Sequence, residues 1–266
     1  KSLKTNYLTM TILFNQIVFG PIKSRRLGNS LGINLMPLNG KFCSFDCIYC
    51  ECGWNKDGKN DQKLPTKEEV FSEMERRFNE LKNEGINIDT ITFSGNGEPT
   101  THPEFPAIID KTIELRDKFF PNAAVSVLTN ASRIGNDKVR AALMKVTNPI
   151  LKIDSGLEEY IRIIDNPQGN YSLADTIENI RKFNGDFILQ TMFLKGTVDG
   201  KYIDTTDPEV VSHWVKIALD LKPREIMMYT IDRETPAQEL AKVTVAEMEE
   251  IAKPLVEAGL KVQIRG

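Results

Sequence analysis

Short runs of β-branched residues alternate with longer amphipathic segments along most of the chain. The short runs predict strands at residues 32–36, 90–94, 124–129, 149–154, 187–194, 225–231 and 261–264. Apolar residues at helical spacing predict helices at residues 67–83, 104–118, 137–145, 172–183, 208–221 and 245–258. Strands that alternate with helices indicate βαβ units and a mostly parallel sheet. About six units follow the cysteines described below, so we expect an α/β fold with an incomplete, (β/α)6-type TIM barrel rather than a closed eight-fold one.

The chain shows no internal boundary. Its 266 residues contain no Gly/Ser-rich linker or low-complexity tract, and this length suits one large α/β domain. We therefore expect a single domain over residues 19–266, preceded by an N-terminal extension over residues 1–18 in which Met10 is a candidate natural start. The apolar stretch 7–20 is interrupted by Asn15 and Gln16 and lacks a small-residue cleavage site, so no signal peptide is expected.

Charge and hydropathy exclude some classes of partner. No apolar run reaches the roughly 18 residues that a membrane-spanning helix needs, so no membrane partner is expected. The formal net charge is −3. Proteins that grip nucleic acid through its phosphates usually carry a basic excess, so this balance counts mildly against a large nucleic-acid partner.

The four cysteines are concentrated in one short segment, at positions 43, 47, 50 and 52. A disulfide framework would join distant loops, whereas thiols crowded into one loop favour a soft metal centre and a reducing, cytoplasmic location. The C-x3-C-x2-C spacing of Cys43, Cys47 and Cys50 offers three thiolates to an iron–sulfur cluster and leaves one iron of a four-iron cube without a protein ligand. A structural zinc site, which needs four ligands and usually two separated pairs, is disfavoured.

Cys52 is open to two interpretations. As a fourth ligand it would complete a fully ligated cluster, and the protein would be an iron–sulfur electron carrier or cluster scaffold. Only one residue separates Cys50 from Cys52, however, which is a cramped spacing for two ligands of the same cube. We therefore interpret Cys52 as a free thiol near the cluster and keep the carrier as the alternative function.

The segment Cys-Ser-Phe-Asp-Cys-Ile-Tyr-Cys, residues 43–50, resembles the signature of the radical S-adenosylmethionine (SAM) superfamily. The resemblance implies a [4Fe–4S] cluster on Cys43, Cys47 and Cys50, whose open iron chelates the amino and carboxylate groups of SAM. It further implies a radical SAM enzyme in which an electron from the cluster cleaves SAM and releases a 5′-deoxyadenosyl radical that abstracts hydrogen from a substrate. By the same resemblance, Tyr49 would pack near the adenine.

A second motif, Gly95-Asn96-Gly97-Glu98-Pro99, follows the predicted strand 90–94. Glycines let a backbone approach a ligand closely, and the Glu98 carboxylate could accept from a cationic amino group. Taken alone, such a short motif is better explained as a strand–helix turn. Its place after the first strand beyond the cysteines resembles the glycine–glycine–glutamate motif of radical SAM proteins, in the form found in their RNA-methylating branch, and this implies contact with the SAM amino group.

Further candidates follow later strands, at the sheet edge where ligands bind in α/β folds. Asn130 could bond the SAM ribose or carboxylate, or simply form a turn. Lys152 and Asp154 share a strand face and could contact SAM or substrate, or form a structural ion pair. The remaining candidates are Gln190 and Met192, which share a face of the strand 187–194, and the loop charges Asp232 and Arg233.

Residues 20–35, the cysteine segment and residues 229–236 together resemble small prokaryotic radical SAM proteins grouped with the wyosine-forming tRNA enzymes. The wyosine enzymes need a second cluster or a lysine adduct, and the sequence holds no second cysteine cluster. The substrate is therefore left open between a small molecule, a peptide and, as runner-up, tRNA, while the expected partner is a reductant such as flavodoxin or ferredoxin. Lys23, Arg25 and Arg26 are candidate phosphate or carboxylate ligands, and the lateral opening of an incomplete barrel would suit a large substrate.

Overall fold

One sheet of ten strands forms the centre of the part of the chain that the structure, a computed structural model, describes: residues 12–24, 27–58 and 63–266. Seven strands run parallel: β2 (Gly28–Ile33), β3 (Thr90–Phe93), β4 (Ala124–Thr129), β5 (Asn148–Lys152), β6 (Ile188–Val198), β8 (Glu225–Thr230) and β10 (Val262–Arg265). They follow one another in this order, and β1 (Val18–Ser24) pairs antiparallel with β2 at one edge. The sheet is open, which confirms the predicted incomplete barrel.

Helices connect the parallel strands. They are α1 (Lys67–Asn83), α2 (Phe105–Phe119), α3 (Asp137–Leu143), α4 (Glu158–Ile164), α5 (Leu173–Arg181), α6 (Pro208–Leu221) and α7 (Val245–Glu257). Thr66 begins α1 with a capping box in which it exchanges hydrogen bonds with Glu69, and Thr244 and Glu247 begin α7 in the same way. No helix within the described residues is long and apolar enough to cross a membrane.

The apolar cores on the two faces of the sheet differ in size, and the faces differ in polarity. Phe78 of α1, Phe93 of β3 and Trp214 of α6 belong to the large apolar core that the helices share with the sheet. A much smaller cluster contains Ile150 and Ile188. Alternate residues of a strand share a face, so Lys152 follows Ile150 and Gln190 follows Ile188 on this same face. Lys152 and Gln190 lie nearer the carboxyl ends of the strands. The smaller face therefore turns polar where the candidate site residues lie.

The predictions missed the structure around the first strand. Residues 20–28 were expected to precede a first strand at 32–36, whereas residues 18–24 and 28–33 already form two strands, β1 and β2, that pair antiparallel. The pattern is weak here because Gly32 supplies no side chain; a Cβ in its place would lie 2.2 Å from the ring of Phe19, which packs directly over it. Arg25 and Arg26 lie outside the described residues.

Three short elements were also missed. Helix α4 has seven residues, and β7 (Lys201–Asp204) and β9 (Leu240–Lys242) both pair antiparallel with the last part of β6. Phe193 is the last residue of β6 that pairs with β8. The part of β6 up to Phe193 therefore belongs to the barrel, and the part after it belongs to this antiparallel addition. Elements this short contain too few residues to show a periodic pattern of apolar positions in the sequence.

Gly156, in the loop between β5 and α4, packs against the backbone of α6. A Cβ there would lie 2.3 Å from the carbonyl carbon of His213 and 2.4 Å from the nitrogen of Trp214. We expect Gly156→Ala to lower the free energy of unfolding by about 1–3 kcal/mol, because α6 must move to accept the methyl group. Urea unfolding monitored by circular dichroism measures this loss. Gly135→Ala is the control, since the nearest atom to its Cβ is 3.6 Å away; equal losses would contradict the close packing.

Candidate functional site

The cysteine loop, residues 41–55, follows β2 and is held by backbone hydrogen bonds from distant parts of the chain. These come from the glycine motif, from the end of α4 and the residues after it, and from the segment after β8. The bonds are Phe42 N to Asn96 O (2.9 Å), Asp46 N to Asp165 O (3.0 Å), Ile48 N to Ile164 O (2.9 Å), Gln168 N to Ser44 O (2.8 Å) and Ala237 N to Ile48 O (3.1 Å). The loop is thus fixed on several sides.

Two polar side chains close the loop from within. Asn55 accepts from the backbone nitrogen of Cys43 (3.2 Å) and donates to the carbonyl oxygens of Cys43 and Phe45 (both 3.1 Å). The buried ammonium of Lys41 donates to Asp46 (3.0 Å) and to the Gly53 carbonyl (2.9 Å). Neither residue was predicted from the sequence, where the signal was their place at the two ends of the cysteine segment.

The three thiols of the C-x3-C-x2-C segment are free of disulfides, with Cys47 buried and Cys43 and Cys50 half-buried. Burial raises the pKa of Cys43 to about 12 and also raises the pKa of Cys47. A hydrogen bond from the Cys52 thiol lowers the pKa of Cys50 to about 6. Three thiols on one loop are the donors that iron–sulfur clusters take, so the chemistry of this donor set fits such a cluster.

A site for a single metal ion is a different matter. The described residues contain no group of three or more His, Cys, Asp or Glu side chains that could hold one ion. An iron–sulfur cube presents a separate iron to each thiolate, so its ligands need not converge on a point. This finding therefore concerns mononuclear sites and leaves the fit to a cluster unchanged.

Cys52 contacts both the glycine motif and Cys50. Its sulfur donates to the Gly95 carbonyl at 3.4 Å, and it shares a hydrogen bond with Cys50, which together with burial raises its pKa. This sulfur thus joins the cysteine loop to the glycine motif. Its interpretation as a non-ligand stays a prediction.

The glycine motif lies against the cysteine loop. Gly95 and Gly97 have φ of +120° and +148°, which favour glycine, and a Cβ on Gly97 would lie 1.8 Å from the Phe42 carbonyl oxygen. Asn96 is fully buried, and its amide bonds the backbone of Phe14 and Pro37, each at 2.8 Å. The Asn96 side chain therefore braces the motif from behind.

Glu98 joins the glycine motif to the end of β4. One carboxylate oxygen accepts from Thr100 N (3.0 Å), Thr100 Oγ1 (2.6 Å) and Thr129 Oγ1 (2.7 Å), and the other accepts from Asn130 N (2.7 Å). Burial raises the pKa of Glu98, and these hydrogen bonds oppose the rise. Glu98 holds two loops together, whatever else it contacts.

Asn130 lies beside the first cysteine. Its amide nitrogen donates to Ser44 Oγ (3.0 Å) and reaches Cys43 Sγ at 3.7 Å, while its oxygen accepts from Ser132 N (3.0 Å). The residue thus forms the turn after β4 and touches the cysteine loop, which confirms its interpretation as a turn former, while its contact with SAM stays a prediction.

A buried network of charges lies beside the second cysteine. Lys152 forms ion pairs with Asp154 (3.3 Å) and, more closely, with Asp165, and Tyr49 donates to Asp154. Cys47 donates to Asp165 at 3.4 Å. Burial and then the Asp154 carboxylate raise the pKa of Asp165 to about 7. For Lys152, burial alone would lower the pKa, but the two carboxylates raise it.

Sequence reasoning identified Lys152, Asp154 and Tyr49 but missed Asp165. The signal was a carboxylate directly after the apolar run Ile163-Ile164, at the end of a helix that was itself not predicted. Gln190 is also buried and lies beside Lys152 in the register of β5 and β6, while the backbone nitrogen of Met192 donates to Asp154 (2.9 Å). The structure thus brings the candidates on β5 and β6 together.

A cavity of about 300 Å³ opens next to Tyr49. It is lined by the following residues, among others: Lys23 and Ser24 from β1, Met192 from β6, Tyr229 from β8, Asp232 and Arg233 from the loop after β8, and Arg265 from β10. Both edges of the open sheet therefore line one cavity, at the lateral opening of the incomplete barrel. Arg233 pairs with Glu51 of the cysteine loop at 2.7 Å.

The chain is similar in sequence to known proteins. A family model described as the radical SAM superfamily matches residues 40–207. GTPase Obg of Brachyspira hyodysenteriae is 30% identical over 261 residues, which are 96% of this chain and 36% of that protein. A UPF0026 protein of Methanocaldococcus jannaschii is 36% identical over 184 residues, which are 67% of this chain and 54% of that protein. The chain therefore spans about a third to about half of the length of these relatives.

A similar fold occurs in a solved structure, SuiB of Streptococcus suis bound to S-adenosylmethionine. The TM-score is 0.61 at 15% sequence identity, and the match covers 87% of this chain and 51% of that chain. At this identity the likeness concerns the fold alone.

Gly97→Ala tests the contact between the glycine motif and the cysteine loop. We expect a loss of about 1–3 kcal/mol in folding free energy beyond the cost of the positive φ, because the new methyl group collides with the Phe42 carbonyl. We also expect less iron and sulfide per chain after anaerobic reconstitution. Gly169→Ala is the matched control, since Gly169 also has a positive φ, +93°, but no atom within 4 Å of its Cβ. Similar losses in both variants would show that the contact does not hold the loop.

Proposed function

This chain belongs to the radical SAM superfamily, and we propose that it is an enzyme that binds a [4Fe–4S] cluster through Cys43, Cys47 and Cys50 and cleaves SAM reductively. When bound and reduced, the cluster supplies the electron that splits SAM into methionine and a 5′-deoxyadenosyl radical, which takes hydrogen from the substrate. The observation that carries the proposal is that three thiols without disulfides meet the glycine motif and a buried carboxylate network at one edge of the sheet.

The charges around the site support a cationic ligand. The carboxyl groups of Glu98, Asp154 and Asp165 are all buried close to the cysteine loop, and Lys152 is the ammonium that pairs with two of them. The pKa of Asp165 is raised because burial and Asp154 disfavour its charge. SAM carries a sulfonium and an ammonium against one carboxylate, so its net positive charge would compensate this excess of carboxyl groups.

The site residues would contribute to SAM binding in different ways. We propose that backbone atoms of Gly95 and Gly97 approach its amino group. The space that a Cβ would need at these two positions is filled by Asn34 and by the Phe42 carbonyl. Asn130 and Asp154 offer polar atoms next to Cys43 and Tyr49, and Gln190 lies beside Lys152. Asn96 acts through its bonds to Phe14 and Pro37, which keep the motif in place.

The cavity beside Tyr49 suggests how substrate enters. Its volume of about 300 Å³ is at the small end of ligand pockets. We propose a small molecule, or one residue of a peptide, as the group that reaches the site, with flavodoxin or ferredoxin as the electron donor. The grouping with wyosine-forming enzymes and the tRNA substrate stay predictions. Of the three basic residues that favour RNA, Arg25 and Arg26 lie outside the described residues.

Cysteine variants separate the enzyme from an electron carrier. Cys43→Ala, Cys47→Ala and Cys50→Ala should each lose the brown [4Fe–4S] absorbance after anaerobic reconstitution, whereas Cys52→Ser should keep most of it. The wild type with SAM and dithionite should release 5′-deoxyadenosine, measured by liquid chromatography. A cluster that forms without this product would support the carrier. A requirement for Cys52 equal to that for the other three would overturn the open-iron assignment.

Glu98→Gln tests the carboxylate in the glycine motif. The amide of Gln has one acceptor oxygen where the carboxylate has two, so a hydrogen bond from Asn130 N or Thr100 N must be lost. The amide is also neutral and no longer attracts an ammonium group. We expect SAM binding to weaken by about 1–3 kcal/mol while the cluster content stays. Isothermal titration of the reconstituted protein measures this, with Glu114→Gln, from an exposed ion pair, as control. Unchanged affinity would leave Glu98 with only its role between the loops.

A further inference from the structure

The Lys152 ammonium is directed at the second cysteine of the loop. Its Nζ lies 3.3 Å from Cys47 Sγ and 2.9 Å from the Tyr49 hydroxyl, and the side chain is only 10% exposed. It also pairs with Asp154 and Asp165, which are almost completely buried. A charge this well enclosed interacts strongly with its neighbours, because little water screens it.

The same ammonium also contacts two aromatic rings of the cysteine loop. Its Nζ lies 5.1 Å from the ring centre of Phe45 and 5.2 Å from that of Tyr49, distances typical of cation–π contacts. Residues 45, 47 and 49 of the loop therefore all face Lys152. One side chain of β5 thus fastens the middle of the loop to the sheet.

Ligand chemistry changes what Cys47 needs from its surroundings. As a thiol, Cys47 donates to Asp165 at 3.4 Å. As a thiolate ligand it has no proton to donate, and its sulfur faces the carboxylate as a second acceptor. Lys152 lies within reach of both groups and is then the donor between them.

We propose that Lys152 is a positioning residue that holds Cys47 as a ligand and raises the reduction potential of the cluster bound there. The inference rests on the proposed function, since it requires the cluster. A positive charge and an N–H···S hydrogen bond both favour the reduced state, which carries one more electron. Asp165, which pairs with Lys152 and lies 3.4 Å from the same sulfur, has the opposite effect. The reduction potential of the cluster therefore depends on the balance between the Lys152 ammonium, which raises it, and the Asp165 carboxylate, which lowers it.

The test is the midpoint potential of the reconstituted protein without SAM, in which dithionite supplies the single electron that takes [4Fe–4S] from 2+ to 1+. Electron paramagnetic resonance follows the reduced form. Lys152→Met should lower the ratio of reduced to oxidised cluster at least tenfold at a fixed potential, a shift of about 59 mV for one electron. Lys152→Arg, which keeps the charge, should stay within tenfold of the wild type. Asp165→Asn should shift the potential upward.

Two further variants complete the design. Lys152→Met combined with Asp165→Asn removes one charge of each sign and should give a potential between those of the single variants. Lys145→Met, which removes a lysine from an exposed pair with Asp110, should leave the potential unchanged. Iron and sulfide per chain are measured in every variant, so that each potential refers to an intact cluster.

The sign of the shifts decides the outcome. A wild-type potential in cluster-containing Lys152→Met, or shifts of the same sign in Lys152→Met and Asp165→Asn, would overturn the inference. If Lys152→Met does not fold, Asp165→Asn decides alone, and a fall or no change overturns it. These results leave the proposed function intact wherever the wild type binds a cluster and releases 5′-deoxyadenosine, whereas a wild type that binds no cluster overturns both.

Discussion

The backbone hydrogen bonds of the cysteine loop are the constraint on which the rest of the site depends. The loop makes no helix or strand of useful length around its thiols, so its amide groups must find partners elsewhere. They find them at Asn96, at residues 164–168 and at Ala237, which lie between β3 and β4, between β5 and β6, and after β8. The positions of the sulfurs are therefore set by the assembled sheet, and changes in any of these connections would reach the site.

The second determinant is electrostatic. A buried ion pair rarely adds much stability, because the desolvation of both charges offsets their attraction. The group formed by Lys152, Asp154 and Asp165 contains more carboxyl groups than ammonium groups, which makes it a poor device for stability alone. Perturbed carboxyl groups in a cleft beside three thiols are more typical of functional sites. The energetic cost of this arrangement is met by the large apolar core between sheet and helices.

Sequence patterns predicted the repeated alternation of strands and helices, and they missed the antiparallel elements that interrupt this alternation. The bounds of α1, α6 and β4 were predicted to the residue, since capping residues and long periods mark them. The hairpin of β1 was missed because glycine and proline interrupt its pattern.

Within the site, the strand-end residues Lys152 and Asp154 were found by strand alternation, which places side chains on a shared face. Asp165 and Asn55 were not, since their roles depend on which loops meet in three dimensions. Spacing along the chain does not encode such meetings.

The antiparallel addition on β6 has an evolutionary consequence. It begins just after Phe193, where the pairing of β6 with β8 ends, so its strands share no barrel hydrogen bonds with the sheet beneath. Insertions or deletions between Val198 and Lys201, or before Leu240, would lengthen or shorten a peripheral structure without shifting the register of the barrel. Lineages could therefore diversify this region without displacing the residues around the thiols.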